Sequence, residues 1–302
     1  MEFLYLLEEL RMPGLNELML GITALGEETA FLVIGLVIYW CVNKRQGYYV
    51  MAVGFAGTMA IQITKLTCRV PRPWVIDPDF FVLEQARETA GGYSFPSGHT
   101  QTAVGTFGCL ACTADKKLWR GACILLAALV GFSRMYVGVH TPADVLAGAA
   151  MACVLVWLLR KPVLHGSNRV MKSTFAGLMM LALVFLLYVH FWNFPADMDP
   201  HNMQSGLKNA YTMLGCTIGI ALVYAADKRV NFSVEAVWWV QILKVVLGLA
   251  LVLAVKEGLR APLELILPVY PARAVRYFLI VITAGTIWPM SFRYLSKFGA
   301  KK

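Results

Sequence analysis

The feature that most constrains this chain is a succession of apolar runs long enough to cross a bilayer. Nine can be marked in 302 residues: about 27–42, 48–66, 98–115, 119–138, 143–160, 173–193, 207–226, 236–256 and 273–294. A membrane-spanning helix needs roughly 20 residues, so these runs occupy most of the chain and leave little for a separate soluble domain. Only 15% of the residues are charged and 58% are hydrophobic, where a soluble domain carries about 25% charged residues. The expected fold is therefore all-α: a polytopic transmembrane helical bundle of about nine spans. We treat residues 1–302 as one membrane domain, with a core to residue 193 and additional C-terminal spans over 194–302.

The loops set an orientation. One set carries Lys44, Arg45, Lys116, Lys117, Arg120, Arg160, Lys161, Arg169, Lys172, Lys228, Arg229, Arg293, Lys297, Lys301 and Lys302. The opposite set holds most of the acids, including Asp77, Asp79, Glu84, Glu88, Asp197 and Asp199. The excess of Lys and Arg marks the first set as cytoplasmic. The N-terminus is then outside and the C-terminus in the cytoplasm. The formal charge of +9 is not read as nucleic-acid binding, because the basic residues fall in short clusters between apolar runs.

Smaller features fit the same picture. Leu4, Leu7 and Leu10 share a helical face, consistent with a short helix on the membrane surface or with the first turn of the next helix. No basic start or small-residue cleavage site marks a signal peptide. Trp40, Trp119, Trp157, Trp192, Trp238 and Trp288 lie near span ends, as an aromatic belt would. Cys109 and Cys112 form a CxxC, but no second pair or nearby His completes a zinc set, so they read as small packing residues. Lys244, inside the eighth run, reads as snorkelling or paired, with a role in transport as the alternative.

Three polar clusters fall on the outer side: KLTCRVPRP from Lys65 to Pro73, then Pro96-Ser97-Gly98-His99, then Ser133-Arg134 with His140 and Asp144. Ionisable residues at membrane-helix ends are costly unless they pair or carry a function. Arg and Lys suit the equatorial oxygens of a transferring phosphoryl group. Gly98 opens a span, so backbone N–H groups there can face an anion. One histidine can attack phosphorus while another protonates the leaving oxygen. His140 and Asp144, four apart, allow the carboxylate to fix one ring nitrogen. Each element has a bland alternative. Thr141 to Asp144 is also a capping box with Pro at the first helical turn.

Together, Lys65-x6-Arg72-Pro73, Pro96-Ser97-Gly98-His99 and Ser133-Arg134-x5-His140-x3-Asp144 resemble the three-part signature of the type 2 phosphatidic acid phosphatase superfamily, with every signature position matched in order. The resemblance covers the first six spans. It implies an integral-membrane phosphatase with His140 as nucleophile, His99 as general acid and Asp144 orienting His140. It assigns phosphate binding to Lys65, Arg72, Ser97, Gly98 and Arg134, and implies no cofactor and no metal. The soluble vanadium haloperoxidases share this site. The implied substrate is a lipid phosphate or diphosphate at the bilayer, of the phosphatidate, phosphatidylglycerophosphate or polyprenyl phosphate class, with the site on the extracytoplasmic side of the cell membrane. The aromatic-acidic stretch Trp74 to Phe81 is similar to the glucose-6-phosphatase branch, which keeps a soluble phosphomonoester as the alternative. A membrane anion transporter or an inactive binding protein would use the same cluster without turnover.

Overall fold

The computed structural model describes residues 1–196 and 198–295, without the side chain of Lys228. Asp197, Lys297, Lys301 and Lys302, used above to orient the chain, lie outside the described residues. Among the described residues every regular element is helical. In chain order these are α1 (Glu2–Glu9), α2 (Pro13–Ala24), α3 (Glu28–Cys41), α4 (Lys44–Cys68), the short α5 (Pro73–Ile76) and α6 (Glu84–Thr89), α7 (Gly98–Thr113), α8 (Lys117–Tyr136) and α9 (Pro142–Leu164). Then follow α10 (Asn168–Phe191), α11 (Pro200–Val230), α12 (Trp238–Gly258), α13 (Arg260–Ile266) and α14 (Val269–Ile282), which runs into a π-helical turn, Thr283–Ile287.

Seven helical stretches among the described residues are long and apolar enough to cross a membrane, and the pair α2–α3, bent by 54°, passes together as an eighth. Helix α7 falls outside that set because it has only 16 residues. Its brevity follows from its ends: Ser97 caps the start, with its side chain accepting from Thr100 N–H, and Ala114 is extended at the stop.

The chain divides into two compact units, the first formed by Met1–Leu32, Ala56–Arg160 and Phe194–Gly206. In it, α7 and α8 pack through Ala103, Phe107, Ala127 and Val130, where small residues let the helices approach. A second cluster gathers Leu4 of α1 with Phe80, Val82, Leu83, Tyr136, Val137 and Val139. Leu4 and Leu7 are buried while Leu10 is exposed. Thus α1 is a separate helix rather than the first turn of α2, and the Leu4/Leu7 part of its apolar face covers protein. The loop after Arg72 is seated in the same way: Phe80 is buried, whereas Phe81 stays exposed. Arg11 fastens it further, donating from Nε to the carbonyl of Tyr136 at 2.8 Å and from Nη1 to that of Phe81.

The second unit comprises Val33–Phe55, Lys161–Asn193 and Leu207–Lys302. Tyr39, Tyr48, Phe175 and Tyr224 form its aromatic centre. The π-helical turn leaves two carbonyls displaced from the regular ladder. Trp40 Nε1 donates to Ala284 O at 2.8 Å and Tyr39 Oη to Gly285 O at 3.1 Å. Trp40 is therefore fully buried and corrects its assignment to the aromatic belt, while Trp119, Trp157, Trp192 and Trp238 are exposed near helix ends. Lys244 is buried, its ammonium donating to the carbonyls of Ser233 at 3.3 Å and Val234 at 3.2 Å.

Candidate active site

The site is built in the first unit from three chain segments. The last turn of α4 supplies Lys65, whose Nζ donates to Tyr93 O at 2.7 Å. Arg72 follows, before Pro73 starts α5. It donates from Nε to Gly92 O and from Nη2 to Gly91 O, both at 2.9 Å. Two cations of one motif thus hold the carbonyls of residues 91–93, the stretch leading into the second motif. Ser94 N–H then donates to Val70 O at 2.8 Å, closing that connection.

The second segment turns through Pro96 into Ser97 and α7. Ser97 N–H donates to Asp144 O at 2.9 Å, and its hydroxyl accepts from Thr100 Oγ1 at 2.9 Å. Gly148 makes this approach possible: a Cβ there would collide with the Ser97 carbonyl oxygen. Glycine is needed because α9 passes directly against the turn that presents Gly98.

The third segment is the end of α8, the turn and the start of α9. Gly138 has φ +88°, in the left-handed region that favours glycine. Arg134 is completely buried; its Nη1 donates to Thr23 Oγ1 at 2.7 Å. Asp144 forms the capping box: its Oδ2 accepts from Thr141 N–H at 2.8 Å, and Thr141 Oγ1 accepts from Asp144 N–H at 3.3 Å. The same Oδ2 accepts from Ser94 Oγ at 2.6 Å and stands 3.5 Å from His140 Nδ1. Capping and alignment of His140 therefore coexist in one carboxylate. On the other side of the ring, Arg72 Nη1 lies 3.0 Å from His140 Nε2.

Six of the eight residues picked from the sequence, Lys65, Arg72, Gly98, His99, Arg134 and His140, line one cavity of about 380 Å³. Ser97 and Asp144 stand behind it, touching the lining residues rather than the cavity. Several buried polar atoms around the cavity have no partner: Arg134 Nε and Nη2, His99 Nε2 and Gln101 Nε2. Unpaired buried donors are costly, and guanidinium donors beside a cavity are suited to an anion. Arg72 is mostly committed to carbonyls, so Arg134 offers the larger open set. Burial is the main force holding the His140 pKa well below its ordinary value, with Arg72 and Arg134 the next contributors. His140 is then a neutral imidazole whose Nε2 lone pair accepts from Arg72. Among the described residues, no group of three or more His, Cys, Asp or Glu side chains gathers where a metal ion could sit.

Sequence reasoning missed Ser94, Thr23 and Gln101. Ser94 lies just before the PSGH motif with no periodic or charge signal, and Thr23 belongs to a helix more than a hundred positions from Arg134. Gln101, three residues after Gly98 on α7, could have been found as a polar residue in an apolar run.

Residues 45–164 match the PAP2 superfamily, and residues 211–301 match the transmembrane extension of PAP2 superfamily phosphatases. Phosphatidylglycerophosphatase B of Bacillus subtilis is 31% identical over 166 residues, 50% of this chain and 76% of its own length. An undecaprenyl-diphosphatase of Sulfolobus acidocaldarius is 28% identical over 136 residues, 44% of this chain and 64% of its own. The undecaprenyl-diphosphatase BcrC of Bacillus subtilis is 30% identical over 132 residues, 43% and 65% respectively. No solved structure matches the chain. With its apolar helices, its motif residues around one cavity and these matches, the chain belongs to the PAP2 superfamily of integral-membrane phosphatases.

Proposed function

We propose that the protein hydrolyses a membrane lipid phosphate or diphosphate through a phosphohistidine at His140. The observation that carries this reading is the cavity in which unpartnered buried atoms of Arg134 and His99 accompany His140. A phosphoryl group seated there meets Arg134, Lys65 and the first-turn N–H groups of α7 at Gly98. These groups stabilise the charge that spreads over the equatorial oxygens. His140 Nε2 attacks phosphorus, the bond to the ester oxygen breaks, and that oxygen takes a proton from His99. Water then attacks the phosphohistidine and returns a proton to His99, so phosphate leaves and Nε2 is restored. Asp144 and Ser94 hold the Nδ1 side of the ring throughout.

The names of the relatives support a lipid substrate: they include a phosphatidylglycerophosphatase, undecaprenyl-diphosphatases and a lipid A 1-phosphatase. The loop asymmetry of Lys and Arg supports an odd number of spans, a cytoplasmic C-terminus and a site facing the extracytoplasmic side. Purified protein assayed for phosphate release from lipid phosphates tests the activity. Turnover that disappears in His140→Ala supports it, and anion flux without hydrolysis would replace it with a transporter.

A further inference from the structure

A second cavity, of about 330 Å³, lies within the second unit, where the first turns of α4 and α10 meet the last turns of α11. It shares no lining residue with the active-site cavity. Its charged lining groups are Lys44 and Arg45 of α4, Lys172 of α10 and Asp227 of α11: three cations against one carboxylate. Tyr48 and Tyr224 line it as well, their rings 5.6 Å apart, and Tyr224 Oη donates to Asn168 Oδ1 at 3.0 Å.

Loop cations that serve only to orient a membrane protein trail in water. Two of these are held in place. Lys44 Nζ stands 2.9 Å from Asp227 Oδ1 and 3.9 Å from the centre of the Phe232 ring. Arg45 Nη1 donates to the carbonyls of Leu164 at 3.0 Å and Gly166 at 2.9 Å. Its other guanidinium donors have no partner among the described residues, and Lys172 makes no ion pair there. Because Asp227 is spent on Lys44, the charges of Arg45 and Lys172 are left uncompensated at one cavity, and guanidinium and ammonium donors in that state suit a phosphate. The membrane side of the cavity is apolar. Ala225 lines it; Leu222, one turn further into the span on α11, and Ala176, one turn further along α10 from Lys172, are both exposed. A phosphate seated on the cations can therefore carry an acyl chain along an apolar face.

We infer that this cavity is a noncatalytic site for the headgroup phosphate of an anionic phospholipid, separate from the substrate of the active site. Basic pockets between membrane helices bind such headgroups. The lining contains no histidine to accept a phosphoryl group, so the lipid is bound and not turned over. Lys44, Arg45 and Lys172 belong to the loop set with the excess of Lys and Arg, which assigns the lipid to the cytoplasmic leaflet. A free phosphate shares the headgroup chemistry but makes no use of the apolar face.

The test counts retained lipid by native mass spectrometry of the purified full chain in detergent. The probes are phosphatidylinositol, a phosphodiester with no phosphomonoester for the active site, and zwitterionic phosphatidylcholine. One phosphatidylinositol should bind at least tenfold tighter than phosphatidylcholine. Arg45→Gln and Lys172→Gln should each weaken it about fivefold, the contribution of one cation at an anionic lipid surface, and leave phosphatidylcholine unchanged. Lys172 is exposed, so Lys172→Gln serves if the loss of the Arg45 contacts prevents folding. Arg134→Gln, in the active site, should bind phosphatidylinositol as wild type does. No preference for phosphatidylinositol, or a preference that survives the substitutions at Arg45 and Lys172, would overturn the site. A preference lost in folded Arg134→Gln would place the lipid in the active site and overturn it equally. Inorganic phosphate titrated alone should bind at least tenfold more weakly than phosphatidylinositol. Phosphate binding as tightly, with the same dependence on Arg45 and Lys172, would make this a free-anion site and overturn the lipid assignment.

Discussion

Arg72 Nη1 stands 3.0 Å from His140 Nε2, and this contact assigns the tautomer of the ring. A guanidinium only donates, so Nε2 must be the unprotonated acceptor. The ring proton is then on Nδ1, which faces Ser94 Oγ at 3.4 Å and Asp144 Oδ2 at 3.5 Å. In the proposed mechanism an incoming phosphoryl oxygen would compete for the Arg72 donor and free the Nε2 lone pair for attack on phosphorus.

The first prediction concerns pH. Burial and the neighbouring cations depress the His140 pKa, so the nucleophile stays neutral as pH falls through the ordinary histidine range. The profile of kcat/KM, which reports the free enzyme, should show no acid limb centred near pH 6.5 that belongs to His140. The linked stability effect has a definite sign. Above about pH 6.5 the shift contributes nothing, because His140 is neutral in both states. Below it the unfolded chain binds the proton that the folded site refuses, and stability declines toward the depressed pKa. A kcat/KM midpoint near 6.5 that stays in place for substrates of different phosphate pKa would contradict this.

Ser94 offers a test of alignment. Its hydroxyl donates to Asp144 Oδ2 at 2.6 Å and is fully buried beside His140 Nδ1. Ser94→Ala removes one hydrogen bond to a charged group, about 1.5–3 kcal/mol. Part of that loss should appear as a roughly tenfold lower kcat with KM little changed, because Ser94 touches the ring support rather than the phosphate. An unchanged kcat, or a rise confined to KM, would remove Ser94 from this role.

Gly148 tests the packing of α9 against Ser97. Any Cβ there would meet the Ser97 carbonyl oxygen, which must shift because backbone cannot rotate away. Gly148→Ala should cost about 1–3 kcal/mol, read by thermal unfolding in detergent, and should depress activity by displacing Gly98. Wild-type stability and turnover in Gly148→Ala would contradict the close approach.

Orientation can be read by labelling. In a background lacking the native cysteines, a cysteine at the exposed Glu88 should react with an impermeant thiol reagent applied outside the cell. Cysteines at the exposed Lys116 and Arg169 should not. The reverse pattern would put the site on the cytoplasmic side.

Much of the site was legible because phosphoryl chemistry demands charged and imidazole side chains where a membrane helix otherwise tolerates few. Lys65, Arg72, His99, Arg134 and His140 stood out for that reason and line one cavity. The supporting groups were not legible. Ser94, Thr23 and Gln101 are ordinary polar residues whose meaning comes from tertiary contact. Trp40 misled because proximity to a span end does not say which face of the helix it occupies; the displaced Ala284 carbonyl draws it inward. The Leu4–Leu7 face of α1 looked membrane-facing because periodicity reports an apolar face and not what covers it.

The most direct measurement is trapping of the covalent intermediate with a radiolabelled phosphate ester, followed by quenching and identification of the labelled residue. Wild type should carry label on His140, His140→Ala should carry none, and His99→Ala should still be labelled while turnover falls on the order of 10² to 10⁴-fold. Label persisting in His140→Ala, or found on His99, would contradict the assignment of His140 as nucleophile.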